Sequence, residues 1–148
     1  MTDPLRHYLS DDHRRCDDLF AAAEQAFQRQ DAASAQASYA RFQEAMLAHF
    51  AAEESLLFPE FEARTGIRMG PTQVMRLEHI QMRSLMEEAR QALIDQAADD
   101  FSGSAETLLI MMQQHNMKEE NVLYPMCDQH LADSASDLLT RLREAIAA

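Results

Sequence analysis

The chain has 148 residues, 47% of them hydrophobic, and a formal net charge of −12 at pH 7. This length and hydrophobic content suit one domain with its own core and exclude a disordered chain. The negative charge argues against nucleic acid as a partner, and no apolar run approaches the roughly 20 residues that cross a bilayer, so no membrane contact is expected.

Two helices are predicted in the first part of the chain. Asp3 is placed to cap the first helix, with Pro4 in its first turn. A second helix is predicted from near Asp31 because apolar residues return there at helical spacing. Pro59 should kink or end this helix, and Gly66 closes the segment.

Two further long helices and a short one follow. The pair Gly70-Pro71 marks a turn into the third helix, and the run FSGS at residues 101–104 predicts another turn before the fourth. A short amphipathic helix is predicted from about Ser134.

These elements predict the fold class. Four long helices joined by short connections are typical of an all-α, antiparallel up-down-up-down four-helix bundle. We expect a single domain over residues 1–148, with the four-helix core at about 4–130 and a C-terminal helix at about 134–147.

The two halves of the chain repeat each other at an offset of 66 residues. HFAAEESLLFP at 49–59 and HNMKEENVLYP at 115–125 share a histidine, a glutamate four residues later and a Leu-aromatic-Pro ending. The histidine of the preceding helix also recurs at this offset, as His13 in the first half and His79 in the second. The pattern predicts a helical hairpin used twice about a pseudo-twofold axis. Its repeated polar residues are His13, His49, Glu53, His79, His115 and Glu119.

These six residues lie within the apolar stripes of their helices, so their side chains should face the bundle interior. His7 and His130 fall outside the stripes and are expected at the surface. Burying four imidazoles and two carboxylates is costly unless they are paired. Buried His–Glu hydrogen bonds are one interpretation. A metal site suits six residues in a twofold pattern better, because imidazole and carboxylate are ligands for iron, manganese or zinc.

With these residues the chain resembles the hemerythrin-like (HHE cation-binding) family over roughly residues 5–130. The two EE-x-x-Leu-aromatic-Pro tails and GPTQVMRLEH at 70–79 add to the likeness. The resemblance implies two iron ions bridged by an oxo or hydroxo group, with zinc or manganese as substitutes. It also implies the ligands of each iron: His13 with His49, His79 with His115, and Glu53 and Glu119 as bridges.

The oxygen-carrying hemerythrins are similar but have a further histidine where this chain has Met75, so their coordination cannot be copied across. The ligand set is closer to the iron-centre repair branch, which usually carries an N-terminal cysteine-bearing region that is not seen before His13. We expect a protein that binds or senses O2 or NO at an open iron position, rather than a dedicated enzyme. Two alternatives stay open. One is repair of iron-sulfur or other iron centres, or detoxification of peroxide or NO; the other is iron storage or buffering.

Several neighbours of these ligands are expected to have ordinary roles. Tyr124 should pack as an aromatic, although its phenol could reach a bound oxygen species. Glu54 and Glu120 should lie at the stripe edge, either bonded to the ligands or facing solvent. Cys16 should be a small buried apolar residue, with a redox or ligand role near the metals as the alternative. Since Cys16 and Cys127 make no disulfide framework and the acidic start is unlike a signal peptide, a cytoplasmic location is expected.

Overall fold

The structure is a computed structural model that describes residues 3–147. Its regular structure in this range is entirely helical, which confirms the all-α class. Within these residues the α-helices are α1 (Pro4–Gln28), α2 (Ala32–Ala52), α3 (Phe58–Thr65), α4 (Pro71–Ile94), α5 (Ala98–Lys118), α6 (Tyr124–His130) and α7 (Ala135–Ala147). Two π-helical turns, Glu53–Leu57 and Glu119–Leu123, join α2 to α3 and α5 to α6. Among the described residues, no helix is both long and apolar enough to cross a bilayer.

The starts of the first two helices differ in how they are capped. The second helix begins near Asp31 as predicted, and the side chain of Asp31 caps it by accepting a hydrogen bond from the backbone N–H of Ser34. Asp3 precedes α1 as predicted, but within the described residues its side chain makes no capping hydrogen bond. Instead, the carboxylate of Asp128 in α6 accepts from the N–H groups of Leu5 and Arg6 at 2.9 and 3.0 Å. A distant carboxylate therefore caps α1.

The turn predicted at residues 101–104 is wrong. The chain reverses at Gln96, which has a positive φ of 54°, and α5 already begins at Ala98. Gln30, 66 residues earlier, lies in the turn just after the first helix and has a φ of 60°. Phe101 is buried inside α5, so tertiary packing overrides the weak helix preference of the Gly-Ser pair beside it.

The predicted kink or end of the second helix lies about one turn before Pro59 and not at Pro59 itself. The chain remains helical through Pro59, which lies in the first turn of α3, where its missing N–H costs least. The π turn from Glu53 to Leu57 comes directly before it. Pro125 has the same relation to the π turn that begins at Glu119.

Two hydrophobic clusters make up the core of the described residues. The Phe42 cluster includes Phe20, Phe42, Met86, Phe101 and Leu108. The Leu57 cluster includes Leu5, Leu9, Leu57, Met75, Leu123 and Leu142. In α1, His13 lies between Leu9 of one cluster and Cys16 of the other. In α4 the same order places Met75 before His79 and Met82 after it, whereas in α2 the order is reversed, with Met46 before His49 and Ala52 after it. In these three helices the histidine therefore lies near the point where the helix passes from one cluster to the other.

Helix α7 closes the Leu57 cluster. Its apolar residues Leu138, Leu142 and Ile146 are buried there, as its amphipathic pattern predicts. The other face of α7 is exposed to solvent. The helix therefore covers the end of the core that lies beyond the histidines.

Candidate metal centre

Six polar side chains from the four long helices and the two π turns meet between the two hydrophobic clusters. They are the six predicted from the repeat: His13, His49, Glu53, His79, His115 and Glu119. Each is at most 1% exposed. Their ligand atoms form two groups that share both glutamates, and the atoms of each group lie within 4.8 Å of one another. The first group adds His13 and His49, and the second adds His79 and His115.

The π turns set the direction of the side chains that follow the glutamates. The backbone N–H of Tyr124 donates to the carbonyl of Glu119, five residues back, and Phe58 donates to Glu53 in the same way. In a regular α-helix the residue four places on shares the face of a glutamate, whereas a π turn brings the fifth residue to that face. Tyr124 therefore points towards the cluster.

Each of the four histidines is held at Nδ1 by a carboxylate from another element. The Nδ1–oxygen distances are 2.7 Å for His13 with Glu120, 2.7 Å for His49 with Asp12, 2.7 Å for His79 with Glu54 and 2.8 Å for His115 with Glu78. An Nδ1–H that donates to a carboxylate leaves Nε2 with a lone pair, and this partnership is usual for metal-ligating histidines. All four Nε2 atoms face the two shared glutamates.

Three of these carboxylates are paired in turn with cationic side chains. Arg15 Nε donates to Asp12 at 2.8 Å, Arg83 binds Glu54 through two nitrogens, and Lys118 contacts Glu78. Sequence reasoning missed these cations. Only Arg15 had a local signal, since it follows Asp12 by three residues on the same helix face.

The second group contains buried polar atoms that hydrogen bonding does not satisfy. Nε2 of His79 and of His115 and one oxygen each of Glu53 and Glu119 have no hydrogen-bond partner among the described residues. His79 Nε2 lies 3.2 Å from Glu53 Oε1, but the angles are not those of a hydrogen bond. Each such atom costs about 1–3 kcal/mol. Hydrogen bonds among the six residues therefore leave these atoms of the second group unsatisfied, whereas a metal ion would use them.

Tyr124 has a larger role than the predicted aromatic packing. Its ring does pack against His13, with centroids 5.6 Å apart. Its hydroxyl, however, lies among the atoms of the first group: Glu53 Oε2 at 2.6 Å, Glu119 Oε1 at 2.9 Å, His13 Nε2 at 3.1 Å and His49 Nε2 at 3.2 Å. The repeat alone could not show this, because the π turn has no evident sequence signal.

The pKa values of His49 and His115 are raised in the metal-free cluster. Burial lowers the pKa of His49, but Glu53 and Asp12 outweigh it and raise the pKa to about 10. Burial likewise lowers the pKa of His115, and Glu119 with its neighbours raises it to about 9. Burial also acts on Glu53, where it raises the pKa, but His49 holds it well below the usual range. The cluster thus stabilises positive charge, which a metal ion would supply in place of protons.

The other two histidines and the two cysteines lie outside the group of six buried histidines and glutamates. His7 and His130 are exposed, as predicted. Cys16 packs in the Phe42 cluster, where burial raises the pKa of its thiol to about 12. Cys127 packs in the Leu57 cluster, and burial raises its pKa as well. Both thiols therefore stay protonated at neutral pH.

Comparisons with known proteins gave one match. A family model described as the hemerythrin HHE cation-binding domain matches residues 5–127. This range contains all six residues of the cluster and the four carboxylates that hold the histidines. Searches of the curated proteins and of the solved structures returned no match.

Proposed function

The chain belongs to the hemerythrin HHE cation-binding family, and we propose on this basis that it is a non-haem di-iron protein that binds or senses O2 or NO at an open iron position. The observation that carries the proposal is the pair of ligand groups that share Glu53 and Glu119. Iron would supply the reversible chemistry with a diatomic molecule, which the side chains alone cannot provide.

The residues divide between two metal positions. His13 and His49 would hold one ion, and His79 and His115 the other. Glu53 and Glu119 would bridge them, since their oxygens belong to both groups. The donors are nitrogen and oxygen without thiolate, a set that suits iron and also zinc or manganese. Two imidazoles and two shared carboxylates would give each ion four protein donors and leave positions open at non-haem iron, and an exogenous ligand needs such a position.

We also propose that α1, α2, α4 and α5 form the antiparallel up-down-up-down bundle, with a pseudo-twofold axis through the cluster and α7 as the C-terminal helix of a single domain. Contacts between α1 and α2 run in opposite directions along the two helices. His13 lies 4.6 Å from His49 and Phe20 lies 4.9 Å from Phe42, measured between ring centroids. This order supports an antiparallel pair.

The burial of the cluster favours a small uncharged ligand. Phe50 stacks on His79 with centroids 4.0 Å apart, and the six cluster side chains are at most 1% exposed. An ion or a large organic substrate would have to leave water and displace this packing, whereas O2 and NO carry no charge. The same burial makes repeated iron release, as in storage or donation to damaged centres, the less favoured alternative.

Gas binding by the ferrous protein tests this proposal. Metal-free protein is loaded with Fe2+ without oxygen and titrated with NO, while visible absorption and electron paramagnetic resonance are recorded. We expect saturable binding of NO that His79→Ala loses and His7→Ala keeps. Iron-loaded protein whose spectra do not change with NO or O2 would contradict gas binding and favour storage.

A further inference from the structure

The pseudo-twofold repeat is broken at a position that reaches the cluster. Tyr124 in the second half corresponds to Phe58 in the first half, and each is the first residue of the helix after a π turn. Both side chains are completely buried. Since Tyr124 carries a hydroxyl and Phe58 carries none, the two metal positions have different surroundings.

The hydroxyl of Tyr124 lies in the first group, where an ion would have to bind. It is within 3.2 Å of one ligand atom from each of the four residues in that group. Metal–nitrogen and metal–oxygen bonds of about 2.0–2.2 Å would place an ion among the same atoms. The hydroxyl therefore must either bind this ion or leave the group when the ion enters.

Departure from the group would leave a buried hydroxyl with few partners. The ring of Tyr124 is 0% exposed and packs within the Leu57 cluster, whose other members are apolar. A buried hydroxyl without a hydrogen bond costs about 1–3 kcal/mol. Binding to the ion avoids this cost. Tyrosine oxygen is a known iron ligand, as in the haem iron of catalase.

The second group has no oxygen at the corresponding place. The ring of Phe58 stacks beside His79 with centroids 5.7 Å apart, and Nε2 of His79 has no hydrogen-bond partner among the described residues. An ion held by His79 and His115 therefore gains no donor from the residue equivalent to Tyr124.

We propose that Tyr124 is a further protein ligand, as a phenolate, to the metal ion held by His13 and His49, and that the two metal positions are therefore unequal. The inference rests on the proposed function, because it requires the two ions. On binding, the phenol O–H bond breaks, the oxygen–metal bond forms and the proton leaves to solvent. The position of His13 and His49 would then favour ferric iron. The position of His79 and His115 would keep more open coordination for a diatomic ligand.

Ferric reconstitution of three proteins tests the inference: the wild type, Tyr124→Phe and Tyr39→Phe. Tyr124→Phe is nearly isosteric, and Phe58 shows that the equivalent position accepts phenylalanine. Tyr39 is a matched control, because it is buried and its hydroxyl donates to the carbonyl of Met86 at 2.7 Å, away from the cluster. The readouts are iron per chain, visible absorption, and resonance Raman scattering from iron-bound tyrosinate.

We expect the wild type and Tyr39→Phe to show a tyrosinate-to-iron absorption band, and Tyr124→Phe to lose it. In Tyr124→Phe the dissociation constant of the ferric ion held by His13 and His49 should rise about tenfold or more. Mutations of residues that support metal ligands typically weaken metal binding by at least this factor. Two bound irons in a wild type without a tyrosinate signal would overturn this inference and leave the proposed function standing. A wild type that binds no iron would contradict both.

A second variant keeps the test decisive if Tyr124→Phe does not fold. The chain has three tyrosines, so the double variant Tyr8→Phe/Tyr39→Phe retains only Tyr124. The band must persist in that protein at the wild-type intensity. Its loss would assign the signal to another tyrosine and overturn the inference.

Discussion

Metal loading should release protons that ordinary histidines would not hold. The carboxylates around the cluster raise the pKa of His49 to about 10 and that of His115 to about 9. At about pH 7.5 both imidazoles are almost fully protonated, whereas an ordinary histidine with a pKa of about 6.5 is only about 10% protonated. Because a metal binds the neutral imidazole, both protons must leave. We expect metal loading to release about two protons or more per chain, whereas two ordinary histidines would release about 0.2.

The release can be counted directly. Zn2+ is titrated into weakly buffered metal-free protein that contains a pH indicator dye, and the absorbance change is calibrated with standard acid. Asp12→Asn is the matched variant, because it removes one of the carboxylates that raise the pKa of His49. It should release fewer protons than the wild type when the pH approaches the pKa of His49, because the lower pKa of the variant leaves the imidazole partly neutral there. Full metal uptake with release close to that of ordinary histidines would refute the charge state assigned to the cluster.

Three further predictions concern stability and reactivity. A histidine whose pKa is raised on folding adds stability that is complete below its unfolded pKa of about 6.5 and is lost as pH rises through the folded value. The Tm of the metal-free protein should therefore fall between pH 7 and about 10, the pKa of His49, and a Tm that rises over this range would contradict the assignment. His49→Ala leaves buried charges unpaired and should cost about 3–5 kcal/mol of unfolding free energy in denaturant titrations. His7→Ala, at an exposed position, should change it by less than about 0.5 kcal/mol; equal losses would mean that the helix faces are misassigned. The reduced wild type should autoxidise quickly in air. Met75→His adds an imidazole one turn before His79 and should lengthen the lifetime of any oxygen adduct in stopped-flow absorbance. A stable, reversible adduct in the wild type would contradict this expectation.

The positions of the six cluster residues were predictable because polar residues stood inside apolar helical stripes and recurred 66 residues apart. Periodicity alone places a side chain on a helix face, and that was sufficient for His13 or His115. It was insufficient for Tyr124, since the π turn shifts the face by one residue through backbone hydrogen bonds. The partners of the histidines were only partly predictable. Glu54 was expected at the stripe edge, but its bonds to His79 and Arg83 depend on how the helices pack.

The 66-residue repeat indicates the correct position of the turn before α5, whereas local composition does not. FSGS at 101–104 is typical of a turn, yet the chain turns at Gln96, 66 residues after the turn at Gln30. Helix α5 accepts Gly103 because Phe101 is buried against Tyr39, with ring centroids 6.0 Å apart. Packing of one aromatic residue thus outweighs the local preference, which amounts to only about 1 kcal/mol for a glycine.

The number of metal ions per chain tests the central claim most directly. Metal-free protein is incubated with excess Fe2+ without oxygen, unbound iron is removed by gel filtration, and iron and protein are quantified by elemental and amino-acid analysis. The two ligand groups that share Glu53 and Glu119 predict two iron ions per chain. One tightly bound iron per chain after full reconstitution would contradict the dinuclear centre.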